Sequence, residues 1–257
     1  MSSPLRLVFD PDGRVLDSAR ECEAEVFLAW FGNTREQLCS EYGRYEDSSV
    51  FLAVADGDDQ VHAAARLLVP GGHAGLKTLV DMEAHPWSVD GRRSSAAVGL
   101  DLSSTWEVAT LGARGSSASE GARLSLALYH GLMNVARVND MSSFIAILDQ
   151  RVRRLLGSVG ILTSPLPGTG PAPYLGSQAS LPVYAHYARM RDNQRRRFPD
   201  AYRLVTLGAG LDGVAVPPAV DFRLRPRVRP RIDLMVGEGI PVMDVARFES
   251  ALQDSRA

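Results

Sequence analysis

Lys77 is the only lysine in a chain of 257 residues, against 27 arginines, and there are only two cysteines, Cys22 and Cys39. Two thiols that match neither a CxxC nor a Cys/His metal spacing exclude a disulfide-stapled scaffold and give no reason to expect a zinc site. They fit a reducing compartment. Long apolar runs are also missing. The longest uncharged stretch, between Arg154 and Arg189, is broken by Pro165, Pro167, Pro171, Pro173 and Pro182, so no segment of about 20 apolar residues is available to span a bilayer. The N-terminus MSSPLRLVFDPDGR has no basic region followed by an apolar one, so no secretory signal is expected and a cytoplasmic location is. A net charge of -2 excludes a protein that coats nucleic acid along its length, while 45% hydrophobic and 23% charged residues suit a globular core.

Against these absences stand several start and stop signals. Ser18 with Glu21, Thr34 with Gln37, and Ser117 with Glu120 have capping-box spacing, and each precedes apolar residues at helical steps. The first helix carries Ala19, Cys22, Val26 and Trp30 and ends at Gly32-Asn33, and the second carries Leu38 and Tyr42 and closes at Gly43. Two β-prone runs, 50–55 and 61–69, flank the turn Gly57-Asp58-Asp59-Gln60 and predict a hairpin. Residues 70–103 read as loop with one short strand around 76–80. A strand over 105–112, a long helix to Arg137, a strand over 144–148, a helix capped by Asp149 and stopped at Gly160, and further strand near 182–187 complete the order. Hairpin strands followed by a βαβα unit predict an α/β fold with a mixed, twisted sheet flanked by helices.

Two residues stand out chemically. Glu107 puts a carboxylate inside the apolar strand Trp106-Glu107-Val108-Ala109-Thr110, just before a helix start. Desolvation there raises its pKa and equips it to take a proton from an ammonium at neutral pH; the alternative is an exposed carboxylate or an ion pair with Arg66. Arg66 is an arginine in the apolar strand Ala63-Ala64-Ala65-Arg66-Leu67-Leu68-Val69 and requires an anionic partner, either Glu107 or a group fixed beside a reacting centre. The histidines His62, His73, His85, His130 and His186 form no triad order or metal spacing.

This order of elements, together with these residues, resembles the GNAT acyltransferase superfamily from about Arg20 to Met190, and within it the acyl-homoserine-lactone synthases and N-acyl amino acid synthases. Trp106-Glu107-Val108 matches the first half of that branch's Trp-Glu-hydrophobic-Ser-Arg strand, with Ala109 and Thr110 where the branch has Ser and Arg. Arg66-Leu67 matches the end of its second hairpin strand, Asp47 stands where it has an acidic residue, and Phe27 stands for its helix phenylalanine. Arg20 and Trp30 are out of its register. The turn Arg114–Ala122 has glycines but not the Q/R-x-x-G-x-G/A spacing of acetyl-CoA enzymes, and it carries Glu120 where a diphosphate would lie.

By this resemblance Glu107 deprotonates the acceptor amine, with Arg66 and Thr110 beside it and backbone N–H groups near Thr110–Gly112 holding the oxyanion. Gly112, Arg114, Gly115 and Ser117 hold the phosphate of the pantetheine arm. Phe27, Trp30, Asp47, Trp106 and Tyr184 border the substrates, Tyr184 or Tyr187 standing in for the thiolate-protonating tyrosine absent from the last helix. The implied co-substrate is a phosphopantetheine acyl-thioester on an acyl carrier protein or CoA, with no tightly bound cofactor and no metal, and the implied acceptor is a small amino-acid-like or secondary-metabolite amine. Departures in the Ser-Arg and Trp positions weigh against S-adenosylmethionine as acceptor. A homoserine-lactone synthase and a non-catalytic pantetheine-binding module with a structural Arg66–Glu107 pair are the alternatives. The acyltransferase domain is expected over 1–190. Residues 191–257 are expected to be an arginine-rich extension ending in a helix begun by Pro241 and carrying Met243, Val245, Phe248 and Leu252. Eleven arginines against four aspartates over 189–231 suit docking of an acidic carrier protein; without interleaved aromatics they do not suggest nucleic acid.

Overall fold

The computed structural model describes residues 4–115 and 117–226, so the helix expected from Pro241 lies outside the described residues. The chain divides into Met1–Arg225 and Pro226–Ala257. The boundary expected at residue 190 therefore falls within the first unit, inside a helix, and the first part of the arginine-rich segment belongs to that unit.

The elements run β1 (Leu5–Phe9), α1 (Gly13–Phe31), α2 (Arg35–Tyr42), β2 (Ser49–Ala55), β3 (Val61–Leu68), α3 (Lys77–Met82), α4 (Gly91–Ala97), β4 (Thr105–Ala113) and α5 (Ala118–Val138). They continue with β5 (Ser143–Asp149), α6 (Gln150–Ser158), β6 (Ser164–Pro165), β7 (Ala172–Tyr174), β8 (Ser177–His186), α7 (Tyr187–Arg197), the short turn α8 (Pro199–Ala201) and β9 (Val214–Ala215). The strands form one sheet in the order β6-β8-β5-β4-β3-β2-β1-β9, with β7 on β8. β4 and β5 are parallel across the α5 crossover, while β2, β3 and β4 are antiparallel, which makes the sheet mixed as the sequence implies.

One face of the sheet packs on α5, where Leu124, Leu128 and Val135 meet Leu52, Val54, Ala65 and Leu67. The other face is covered by α1 through Ala19, Cys22 and Val26 and by α3 through Leu79 and Met82. Gly131 lets α5 lie close on β2, since a Cβ there would sit 2.8 Å from a methyl of Leu52.

Local signals hold with three corrections. The Thr34–Gln37 capping box forms with both bonds, the Ser117 hydroxyl accepts from the Glu120 N–H, and the Asp149 side chain accepts from the Arg151 N–H. Gly32 ends α1 in the left-handed region. The Ser18–Glu21 box, however, does not start α1, which begins five residues earlier after Asp12; Ser18 lies inside the helix and its hydroxyl accepts from the Val61 N–H at 2.9 Å. The strand expected around 76–80 is the helix α3, because Leu79 and Met82 reach a core pocket on one side while Lys77 and Thr78 meet carboxylates on the other. The strand expected near 182–187 runs from Ser177 to His186, with Tyr187 opening α7.

Candidate active site

β4 and β5 pair only over Thr105↔Ser143, Trp106↔Phe144 and Glu107↔Ile145, after which they part. On the other side of β4 the register slips by one residue: Leu67 faces Val108 and Arg66 faces Thr110, which leaves Ala109 as a bulge. The parting opens a V-shaped cleft of about 80 Å³, lined on one wall by Val108, Ala109 and Thr110 of β4 and on the other by Ile147, Leu148 and Asp149 of β5. Phe27 and Phe31 of α1, Tyr42 of α2 and Tyr174 of β7 close its front. A second, almost wholly apolar cavity of about 60 Å³ continues behind, between β4, β5, α5, α6 and α7, and shares Val108, Leu111, Leu148 and Val152 with the first. Met133, Met141, Phe144, Ile161 and Met190 line its depth.

Glu107 lies at the vertex of the V and is 3% exposed. Both carboxylate oxygens accept from the Thr78 N–H, at 3.0 and 2.9 Å, and Oε1 also accepts from the Thr78 hydroxyl at 2.9 Å. Burial pushes its pKa from 4.5 up to about 7, opposed by the Thr78 hydrogen bonds, with the Asp81 carboxylate adding to the rise and the Lys77 ammonium reducing it. The carboxylate does not itself line the cleft; Ala109, two residues on and on the same side of β4, does.

Arg66 does not pair with Glu107. Its Nε and Nη2 donate to the two oxygens of Glu23 at 2.9 and 2.7 Å, and its Nη1 donates to Glu46 at 2.8 Å. The guanidinium is sandwiched between the rings of Tyr42 and Phe51, at 4.8 and 4.7 Å. Burial works against its charge, but Glu23 and Glu46 hold its pKa above the usual value. Arg20 joins the same network through Glu46 at 2.8 Å, and the Thr110 hydroxyl donates to Glu23.

A second buried network borders the cleft. Lys77 donates to Glu41 at 2.7 Å and to Asp81 at 2.6 Å, and its Nζ lies 5.5 Å from the ring centre of Tyr42 and 5.7 Å from that of Tyr174. The Tyr174 hydroxyl donates to Asp81, and the Tyr42 hydroxyl donates to the Ala109 carbonyl at 3.3 Å. Across the cleft, Asp149 takes bonds from Arg151 and from the Ser177 hydroxyl; burial opposes its charge, yet these bonds bring its pKa down to about 2.

The remaining sequence-derived candidates fall in different places. Phe27 and Thr110 line the cleft. Trp106 is buried on the α5 side, turned away from Glu107. Asp47 binds the His73 ring at 2.8 Å, and its neighbour Glu46 is the residue that reaches Arg66. Tyr184 packs with Ile145 under α3, outside the cleft lining. Trp30, 67% exposed, lies with Arg114, Gly115, Ser117 and Glu120 along a separate groove at the start of α5, where Arg114 Nε sits 2.9 Å from Glu25. Gly112 lies against Val26, where a Cβ would come within 2.4 Å of a methyl. Glu23, Glu41, Thr78, Asp81 and Tyr174 belong to these networks and are not among the sequence-derived candidates. Of these, Glu23 had a signal: it is four residues from Ala19 and so falls on the inward stripe of α1.

No family model matches the sequence, and no curated relative does. Solved structures do match in fold. An N-acyl amino acid synthase from uncultured soil microbes, FeeM, superimposes with a TM-score of 0.55 over 74% of this chain and 94% of its own, at 12% identity. A CoA-dependent acyl-homoserine lactone synthase, BjaI, solved with S-adenosylmethionine and isopentyl-CoA, gives 0.51 over 86% of this chain and 96% of its own, at 16% identity. The chain has the GNAT-like fold. Within it, β4 and β5 part beyond Glu107 and β4 bulges at Ala109, and the cleft lies where the two coincide. Among the described residues, no helix is long and apolar enough to cross a membrane.

Proposed function

We propose that this GNAT-like protein is an N-acyltransferase that moves an acyl group from a phosphopantetheine thioester to a small primary amine. The observation that carries the reading is a buried carboxylate, held near pKa 7, at the vertex of a cleft that continues into an apolar cavity. A thioester lying along the open edge of β4 brings its carbonyl to the vertex and its acyl chain into the cavity behind. The amine enters from the side of α1, α2 and β7. Glu107 takes the ammonium proton through an intervening water, and the free amine attacks the thioester carbonyl to form a C–N bond. Amide N–H groups of β4 beyond its pairing with β5 stabilise the oxyanion. Collapse breaks the C–S bond, and the thiolate takes up a proton, so that an amide and a thiol leave.

The cavity holds roughly four to six non-hydrogen atoms before any wall moves, which favours short acyl groups. Its three methionines can adjust to longer ones. The donor is a carrier-protein thioester in preference to CoA: the groove at the start of α5 offers Arg114 and the helix N-terminus to one phosphate, while Glu25 and Glu120 oppose a diphosphate.

The experiment is mass spectrometry of the protein incubated with acyl carrier proteins, acyl-CoAs and amine pools, with and without S-adenosylmethionine. Formation of an amide supports the reading. Release of methylthioadenosine assigns the protein to homoserine-lactone synthesis instead, and retention of a pantetheine thioester with no product makes it a binding module.

A further inference from the structure

The charges around the cleft are arranged to suit an ammonium and to reject a carboxylate. Among the described residues, the only charged side chain in the cleft lining is Asp149. Each cation nearby is held by carboxylates: Arg66 by Glu23 and Glu46, Lys77 by Glu41 and Asp81, and Arg151 by Asp149. Lys77 is 3% exposed and lies behind the rings of Tyr42 and Tyr174, so an incoming anion meets the rings before the ammonium. Arg66 is 4% exposed and is likewise covered by Tyr42. What the front of the cleft does offer is apolar and aromatic surface, with the Phe27 and Phe31 rings 5.4 Å apart and Tyr42, Tyr174 and Leu175 facing them. A carboxylate bound there would be stripped of water beside Asp149 with no cation in the cleft lining to receive it, whereas an ammonium meets ring faces and Asp149, with Glu107 one water beyond the vertex.

We propose that the acceptor is an aryl- or alkylamine that carries no carboxylate, which sets aside α-amino acids and S-adenosylmethionine. The proposal rests on the acyl-transfer reading only for the direction from which the amine arrives. The acceptor class is then fixed by the aromatic front and by the pairing of Arg66, Lys77 and Arg151. An amine of this class loses its proton at the vertex, attacks the thioester and leaves as a neutral amide that fits the same apolar walls.

The test uses matched pairs that differ by the carboxylate alone: phenethylamine against phenylalanine, and tyramine against tyrosine. Each is supplied to the full-length protein with a butanoyl carrier-protein thioester, and the amide is quantified by mass. The expected result is a preference of about 100-fold in kcat/KM for each amine over its amino acid. A preference of tenfold or more sustains the proposal, and anything smaller, or a preference for the amino acid, overturns it. If neither member of a pair is acylated, the acyl-transfer reading fails, and equilibrium binding of phenethylamine and phenylalanine by titration calorimetry decides the acceptor class separately. Tenfold tighter binding of phenethylamine sustains it; equal binding, tighter binding of phenylalanine, or no binding of either overturns it.

Discussion

Replacing Glu107 by Gln should move activity and stability in opposite directions. The Glu107 carboxyl is buried and its pKa rises from 4.5 to about 7. Its folded-state value lies above its unfolded one, so its contribution to stability is complete below about pH 4.5 and is lost as the pH rises through 7. The gap corresponds to about 3 kcal/mol at roughly 1.4 kcal/mol per pH unit. At pH 8 the wild type therefore carries an ionised, buried carboxylate that the amide variant lacks, while Gln keeps an oxygen to accept from Thr78. For a unit of this size each kcal/mol is worth about 2–4 °C in Tm, so Glu107→Gln should melt up to about 10 °C higher at pH 8. The difference should vanish below pH 5. Thermal unfolding monitored from pH 4.5 to 8.5 reads this directly, and a rise of about 4 °C at pH 8 is enough to decide.

The same substitution removes the group that accepts the ammonium proton, and general-base losses run to roughly 100-fold or more. The wild-type rate should fall on the acid side of about pH 7, and the variant should lose that limb along with its rate. Full activity in Glu107→Gln would refute the base role. Destabilisation at every pH would refute the electrostatic reasoning and make Glu107 a structural partner of Thr78.

Arg66→Ala should cost roughly 3–5 kcal/mol, because it leaves Glu23 buried without its cation; the double variant with Glu23→Gln should recover part of that loss in a thermal-unfolding cycle, and strict additivity would refute the pairing. Replacing Arg195, Arg196 and Arg197 together by Gln should lower transfer from a carrier-protein thioester and leave transfer from a short pantetheine thioester unchanged. These three side chains are exposed in the last turn of α7. The wild-type advantage should shrink at high salt, where attraction is screened beyond about 8 Å or less. Equal loss with both donors, or none with either, removes this turn from carrier docking.

The sequence made the hairpin, β4, α5 and β5 legible because their apolar residues recur at the spacing of the element they form. β1 escaped notice because five residues, LRLVF, give too short a pattern to separate from a loop. The charge networks were less legible, since a buried ion pair joins residues far apart in sequence: Glu23 and Arg66 are separated by 43 positions. An arginine in an apolar strand announces that a partner exists but not which carboxylate it is. Lys77 and Thr78 lie in a stretch rich in turn residues, where a helix of six residues leaves almost no periodic signal. Tyr174 had none, because its place in the cleft depends on β7 folding back along β8.

Strict alternation along β4 would have set Glu107, Ala109, Leu111 and Ala113 on one face. The bulge at Ala109 changes this. Trp106 and Val108 face α5, and after the extra residue Leu111 and Ala113 face α5 as well. Glu107, Ala109, Thr110 and Gly112 are thereby gathered on the side of α1, α2 and α3, which lets the Thr110 hydroxyl reach Glu23 and Gly112 meet Val26. One residue thus places the proposed base and the wall of the acceptor cleft on a common face while the apolar positions still fill the core. Deleting Ala109 should restore alternation. Thr110 would then follow Val108 directly and, like Leu111 and Gly112, keep its side of β4, so pairing with β3 becomes continuous while the extra residue that walls the cleft is gone. The buried Tyr42 hydroxyl loses the Ala109 carbonyl, so denaturant unfolding should show a drop of no more than about 1–3 kcal/mol, while the missing cleft wall should abolish transfer. Ala109→Gly keeps the extra residue and should retain both the fold and the activity. A deletion variant with the wild-type rate would show that the bulge does not build the site.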